Sequence, residues 1–292
     1  MVLSYIYEDM SKLAVVTGGA GFIGSHLCER LVAEGYKVIS LDNYFTGLKE
    51  NHVEGVEYRE GHTKDIARHI SETPDVLFHL GEYSRVLSSF DDIEKVWDLN
   101  IRGTFQVLEF CKEKKVRLIY AGSSTKFGEF DDAEDGENQS PYAYFKTTNT
   151  QLVNNYGAWF ELDYAITYFY NVYGPRERAG SYGTVVEIFR QKKAAGEPLM
   201  IFGTGEQRRA FTHVKDTVDG LMLVGEQGRG DGYCISASKE YSIRQIAEAF
   251  GGEIETVAGK PGDRNRSKCN FSKMEELGWS AKEDVLDYIN GV

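Results

Sequence analysis

The chain has 292 residues, 41% hydrophobic and 27% charged, an ordinary balance for a globular protein with room for one large domain or two closely joined ones. Its formal net charge of -12 argues against nucleic acid or an anionic membrane as a partner, so an anionic ligand would need a local pocket of positive charge. Cys28, Cys111, Cys234 and Cys269 are scattered without CxxC spacing, and no apolar run is long enough to cross a bilayer. The start, "MVLSYIYEDMSKLAVV", lacks a basic region followed by an apolar stretch. Together these features predict a reducing, cytoplasmic setting with no disulfide framework and no metal site.

From residue 12 onward, short β-branched runs alternate with segments of helical period: "LAVVT", then 22–34, "KVISLD", "VLFHL", then 93–114, then "RLIYAG". Such alternation predicts parallel strands covered by helices, an α/β doubly wound sheet of the Rossmann type over residues 11–170. After residue 170 come the Gly-rich loops "YGPRERAGSYG" and "GTGEQRR" and the short amphipathic helices "YSIRQIAEAF" and "SKMEELGW". These predict a smaller C-terminal α/β substrate lobe, residues 171–292, partly interleaved with the first. The acidic stretch 129–138, "EFDDAEDGEN", reads as a solvated loop.

In "VVTGGAGFIGSHL", Gly18, Gly21 and Gly24 follow a strand and open a helix with apolar Ile23, Leu27 and Leu31 at every fourth position. Gly18 permits the tight turn, Gly21 lets backbone approach a pyrophosphate, and the helix N-terminus offers unpaired N–H groups to its charge. The second strand, in "KVISLDN", ends with Asp42, 18 residues beyond Gly24, where a carboxylate can bind an adenosine ribose and would repel a 2′-phosphate. The expected cofactor is therefore NAD.

Further along, "RLIYAGSSTKFGE" ends a strand with the hydroxyl residues Ser123, Ser124 and Thr125, and strand ends in this architecture face the ligand crevice. "SPYAYFKTTN" then sets Tyr142 and Lys146 one helical turn apart, on one face. An unassisted phenol gives up its proton only near pH ~10, so a neighbouring ammonium is needed to favour the phenolate. Tyr142 as base, Lys146 as its charge partner and a hydroxyl that steadies the substrate oxygen form a set for removing a proton from an alcohol.

This GxxGxxG spacing, combined with the later tyrosine and lysine, resembles the extended short-chain dehydrogenase/reductase family, especially its nucleotide-sugar epimerases. The resemblance implies Ser123, Tyr142 and Lys146 as catalytic residues, with Thr125 the second choice of hydroxyl. It implies a cofactor site of Gly18, Gly21, Phe22, Ile23, Gly24, Asp42, Asn43, His62, Leu80, Gly81 and Asn100, completed by Tyr142 and Lys146. Leu80 and Gly81, in "VLFHLGEYS", would line the nicotinamide, Asn100 would brace it, and His62 would touch the adenine edge. For the substrate it implies Ser123, Ser124 and Thr125 near the sugar, Asn171 and Arg209 at the diphosphate, Phe202 near the base and Arg266 as added positive charge.

The sequence departs from the family pattern at His62, where an aspartate is usual, and at Glu82 and Tyr83, where small apolar residues are usual. Glu82 is therefore expected near the sugar, altering specificity. Lys126 is also unusual at its position. Family dehydratases carry an Asp-Glu pair where this chain has Ser124 and Thr125, and decarboxylases typically carry a glutamate at Thr125. What the resemblance implies is an NAD-dependent nucleotide-diphosphate-sugar 4-epimerase, with a UDP-sugar substrate and a homodimeric assembly. A decarboxylase, C2 epimerase or reductase on the same scaffold, or a non-catalytic NAD sensor, are the alternatives.

Overall fold

The computed structural model describes residues 11–127, 140–178, 180, 183–258 and 270–292. Six strands lie within residues 13–169: β1 (Leu13–Thr17), β2 (Lys37–Asp42), β3 (Val56–Glu60), β4 (Val76–His79), β5 (Arg117–Ser123) and β6 (Tyr164–Phe169). They pair in the order 3-2-1-4-5-6, and the later strand Gly230–Ile235 adds to β6 as the seventh. Every pairing in this sheet is parallel, with Val15 of β1 opposite Ile39 of β2 on one side and Leu77 of β4 on the other.

Parallel strands are buried on both faces, which is why their sequences are nearly continuous apolar runs. One face packs around Val15, Leu41, Leu77, Leu118 and Ile166 with Val107, Leu108 and Val153 from two helices. The other packs around Ala14, Val16, Val38 and Ile119 with Leu27 and Leu31 from the helix Phe22–Ala33 and Leu221 and Val224 from the helix Val214–Gln227. The sheet order reverses between β1 and β4, so a crevice opens there beyond the strands' carboxyl ends.

The second half of the chain is divided. Gly230–Ile235 and the helix Val214–Gln227 belong to the main sheet and its cover, whereas Leu199, Ile201, Phe189, Ile246 and Ile289 form a core of their own. None of the described helices is long and apolar enough to cross a membrane.

Beneath the crevice lies a chain of buried hydrogen bonds. The Gly81 N–H donates to Thr17 Oγ1 at 3.0 Å, and Thr17 Oγ1 lies 2.7 Å from His79 Nδ1. His79 Nε2 lies 3.0 Å from Thr104 Oγ1, whose hydroxyl donates to Glu82 Oε1 at 2.8 Å. A carboxylate only accepts, so the Thr104 hydroxyl points to Glu82 and receives from His79, whose Nε2 therefore carries a proton. Burial keeps the fully enclosed imidazole neutral, holding it down at about 4 from an ordinary 6.5.

The unfolded chain takes up this proton below about pH 6.5 while the folded chain refuses it until about 4, so His79 withdraws stability as pH falls through that window. The full effect is about 3 kcal/mol. Comparing urea unfolding of the native chain with His79→Gln isolates it from other titrating groups. The native chain's advantage should shrink from pH 7 to pH 4, and a constant difference would show that the imidazole is not held neutral.

Candidate active site

The glycine turn is built by close approach of two backbone segments. Gly18 has a φ of +75°, and a Cβ there would lie 2.9 Å from the Gly81 Cα. A Cβ on Gly24 would lie 2.1 Å from the Gly18 carbonyl oxygen. Gly21 is the N-cap of the helix Phe22–Ala33 and no side chain caps that end, so its first N–H groups face the crevice without a protein partner. This uncapped turn fits a dinucleotide pyrophosphate. At the end of β2, burial raises the Asp42 carboxyl despite hydrogen bonds from the Ala20 N–H at 2.9 Å and the Tyr44 N–H at 2.8 Å. Each Asp42 oxygen retains a lone pair for a ribose hydroxyl.

Local sequence also sets the groups expected to react. Ser140 caps the helix Pro141–Phe160 by accepting from the Ala143 N–H at 3.1 Å, and Pro141 occupies its first turn. The helix therefore starts just ahead of Tyr142. Tyr142 is held in a small cluster with Tyr83, Val96, Leu99 and Phe145, and its hydroxyl donates to Ser123 Oγ at 3.2 Å. Ser123, the last residue of β5, also lies 2.9 Å from Thr125 Oγ1. One turn beyond Tyr142, Lys146 is 4% exposed, and its ammonium donates to the Ala121 carbonyl at 2.6 Å and to Glu82 Oε2.

A single crevice of about 380 Å³, within the range of small-molecule sites, joins these parts. Among the expected residues, Gly18, Gly21, Phe22, Ile23, Gly24, Asp42, Asn43, Leu80 and Gly81 line its cofactor end, and Ser123, Thr125, Tyr142, Lys146 and Asn171 its other reaches.

Several expected residues lie elsewhere. Asn100 is fully buried in a wide π turn, Trp97–Arg102, where its side chain clamps the N–H and C=O of Tyr83 at 2.7 and 3.1 Å. His62 caps a short helical turn by accepting from the Lys64 N–H at 3.0 Å and lies 3.2 Å from Asp98. Ser124, Phe202 and Arg209 are not among the crevice's lining, and Arg209 donates to the Arg208 carbonyl at 2.8 Å. Arg266 and the acidic stretch 129–138 lie outside the described residues.

Glu82 borders the crevice, as expected, and its carboxylate oxygens are held by protein groups: Oε2 by Lys146, and Oε1 by Thr104 at 2.8 Å, Asn149 at 2.8 Å and Tyr120 at 3.3 Å. Lys126 gains an account. It lies 3.5 Å from Asp231, which also accepts from Tyr168 at 2.6 Å and Asn154 at 3.0 Å, joining the end of β5 to the seventh strand. The lining also includes Arg85, Glu177, Arg178 and Thr184, which sequence reasoning did not single out. Their signal was the charge density of "EYSRV" and "YGPRERAG". Burial pushes the Glu177 carboxyl up to about 7, against a hydrogen bond from the Thr184 N–H at 2.5 Å. No group of three metal-ligating side chains occurs among the described residues.

Comparison with known proteins sets this geometry among relatives. The chain is 30% identical to a "Putative UDP-glucose 4-epimerase" of Methanocaldococcus jannaschii, over 96% of this chain and 97% of that one. It is 31% identical to a UDP-N-acetyl-alpha-D-glucosaminuronate decarboxylase of Bacillus cytotoxicus, over 82% of this chain and 79% of the other. Its fold superimposes on the crystal structure of UDP-glucose 4-epimerase from Thermotoga maritima, with UDP-glucose, at a TM-score of 0.89 and 27% identity, covering 95% and 96% of the two chains. The sequence model of the NAD dependent epimerase/dehydratase family matches residues 14–235, from the first strand through the seventh. A glycine turn shaped for a dinucleotide, a tyrosine and lysine at the crevice and this match lead to one conclusion: the chain is an NAD-dependent enzyme of the epimerase/dehydratase family that modifies nucleotide sugars.

Proposed function

We propose that the protein is a nucleotide-diphosphate-sugar 4-epimerase that retains NAD through each turnover, with a UDP-sugar as substrate. The observation that carries this reading is the Tyr142 hydroxyl 3.2 Å from Ser123, with Lys146 one turn away and hydroxyl groups rather than carboxylates at positions 124 and 125. NAD, when bound, supplies the acceptor and later the donor of a hydride. The remaining work falls to the chain. Ser123 orients the C4 oxygen, Tyr142 takes its proton and afterwards returns it, and Lys146 supplies positive charge beside the phenol. A base and a hydroxyl suffice for this exchange, whereas eliminating water needs a further acid and base.

In this reading residues 11–170 hold the cofactor and 171–292 the nucleotide, with Asn171 at the diphosphate and Arg178 and Arg85 supplying the positive charge that an acidic protein must concentrate around an anion. A decarboxylase is the second reading, favoured by the Bacillus relative and by the presence of Arg85 in the crevice, where a guanidinium could meet a sugar carboxylate. The exposed Trp97, Phe105, Tyr144, Trp159 and Phe160 support a homodimer joined through helical faces. Sedimentation should then give twice the 32.9 kDa chain mass.

Incubation with UDP-glucose, UDP-N-acetylglucosamine and UDP-glucuronate, without added NAD, should convert at least one to its C4 epimer with no net NADH. Carbon dioxide release from UDP-glucuronate would establish the second reading instead, and inertness across a broad panel would remove both. Tyr142→Phe should retain NAD, detected by mass spectrometry of the denatured protein, and lose about two to four orders of magnitude in kcat. Turnover near the native rate in that variant would identify a different base.

A further inference from the structure

Where the family resemblance leads one to expect a small apolar residue, this chain buries a carboxylate. The Glu82 side chain is 2% exposed, and both its oxygens are taken by protein donors. Its two oxygens have separate tasks. Oε1 accepts from three groups on three different elements: Tyr120 in β5, Thr104 in the helix Gly103–Lys114 and Asn149 in the helix Pro141–Phe160. The scaffold thereby fixes Oε2, which takes the Lys146 ammonium.

We propose that Glu82 is a positioning residue for Lys146: the carboxylate seats the ammonium at the floor of the crevice and balances its charge there. The inference rests on the role proposed above for Lys146. A lysine carries a compact charge on a flexible four-carbon stem, and in a dry place it needs both a fixed acceptor and a counter-charge. Glu82 supplies both. With the Ala121 carbonyl as its second acceptor, Lys146 has spent two of its three N–H groups on the protein, leaving one for whatever occupies the crevice. Thr104, one of the donors that fix the carboxylate, is linked through His79 and Thr17 to the Gly81 N–H beside the glycine turn. The lysine's seat and the dinucleotide's turn are thus parts of one buried hydrogen-bonded unit.

The test compares Glu82→Gln, Lys146→Met and the double variant. Glu82→Gln should lower kcat about a hundredfold, as expected when a reacting group is misplaced by about an ångström. KM for the nucleotide sugar should stay within about twofold, a split that general destabilisation would not give. Added to Lys146→Met, the same change should cost almost nothing more, because Glu82 acts through the ammonium. A second measurement needs no substrate: NADH fluorescence on cofactor-depleted protein should show binding weakened about tenfold by Glu82→Gln, and not weakened further in the Lys146→Met background. That arm still decides the role of Glu82 if no nucleotide sugar is turned over, an outcome that would count against the proposed reaction alone. If Glu82→Gln does not fold, Thr104→Val removes one donor that fixes Oε1 and should produce a smaller loss of the same kind. Native kcat and native NADH affinity in the tested variant, or a full further loss on top of Lys146→Met, would overturn the proposal.

Discussion

The constraint from which the rest of the site follows is an ammonium kept almost wholly out of water. Lys146 is held between a carbonyl of β5 and a carboxylate on the loop after β4; the first is fixed by the parallel sheet, the second by donors from β5 and two helices. Isolated, such a charge would cost several kcal/mol to bury; paired and hydrogen-bonded, it becomes a stable part of the core. The helix that carries it is set by Ser140 and Pro141, so Tyr142 emerges one turn earlier on the same side and meets the hydroxyl that ends β5. The rigidity of the sheet is thereby passed on to Ser123, Tyr142 and Lys146.

Much of this was legible in the sequence because it depends on local order. The glycine turn is a run of seven residues in which Gly18, Gly19 and Gly24 make approaches too close for a Cβ, and the strands are apolar runs because both their faces are covered. The spacing of Tyr142 and Lys146 fixes their shared side once the residues form a helix. The seventh strand was harder to read. Gly230–Ile235 is separated by a long stretch from β6, its partner, and nothing local says that a segment of the second half joins the first half's sheet.

The destination of Glu82 was not legible at all. Its partners lie 22, 38, 64 and 67 residues away along the chain, and a carboxylate beside a ligand crevice turns inward only where the fold has assembled donors beneath it. Lys126 is similar: its meaning lies in Asp231, on a strand more than 100 residues later. Charged residues whose partners are remote carry no periodic signature, and sequence patterns report periodicity far better than pairing.

The placement of the seventh strand bears on how the chain can be divided. Cutting after residue 170 would leave every part of the glycine turn, Tyr142 and Lys146 in the first fragment, yet it would strip β6 of its neighbour and bare a row of backbone N–H and C=O groups along "YAITYF". An apolar border of that kind invites pairing with other chains. The same cut would strand Lys126 without Asp231 and uncover Phe78 and Ile119 where the helix Val214–Gln227 now shields them. Residues 11–170 are therefore a unit only in sequence: their last strand is made safe by residues synthesised some sixty positions later.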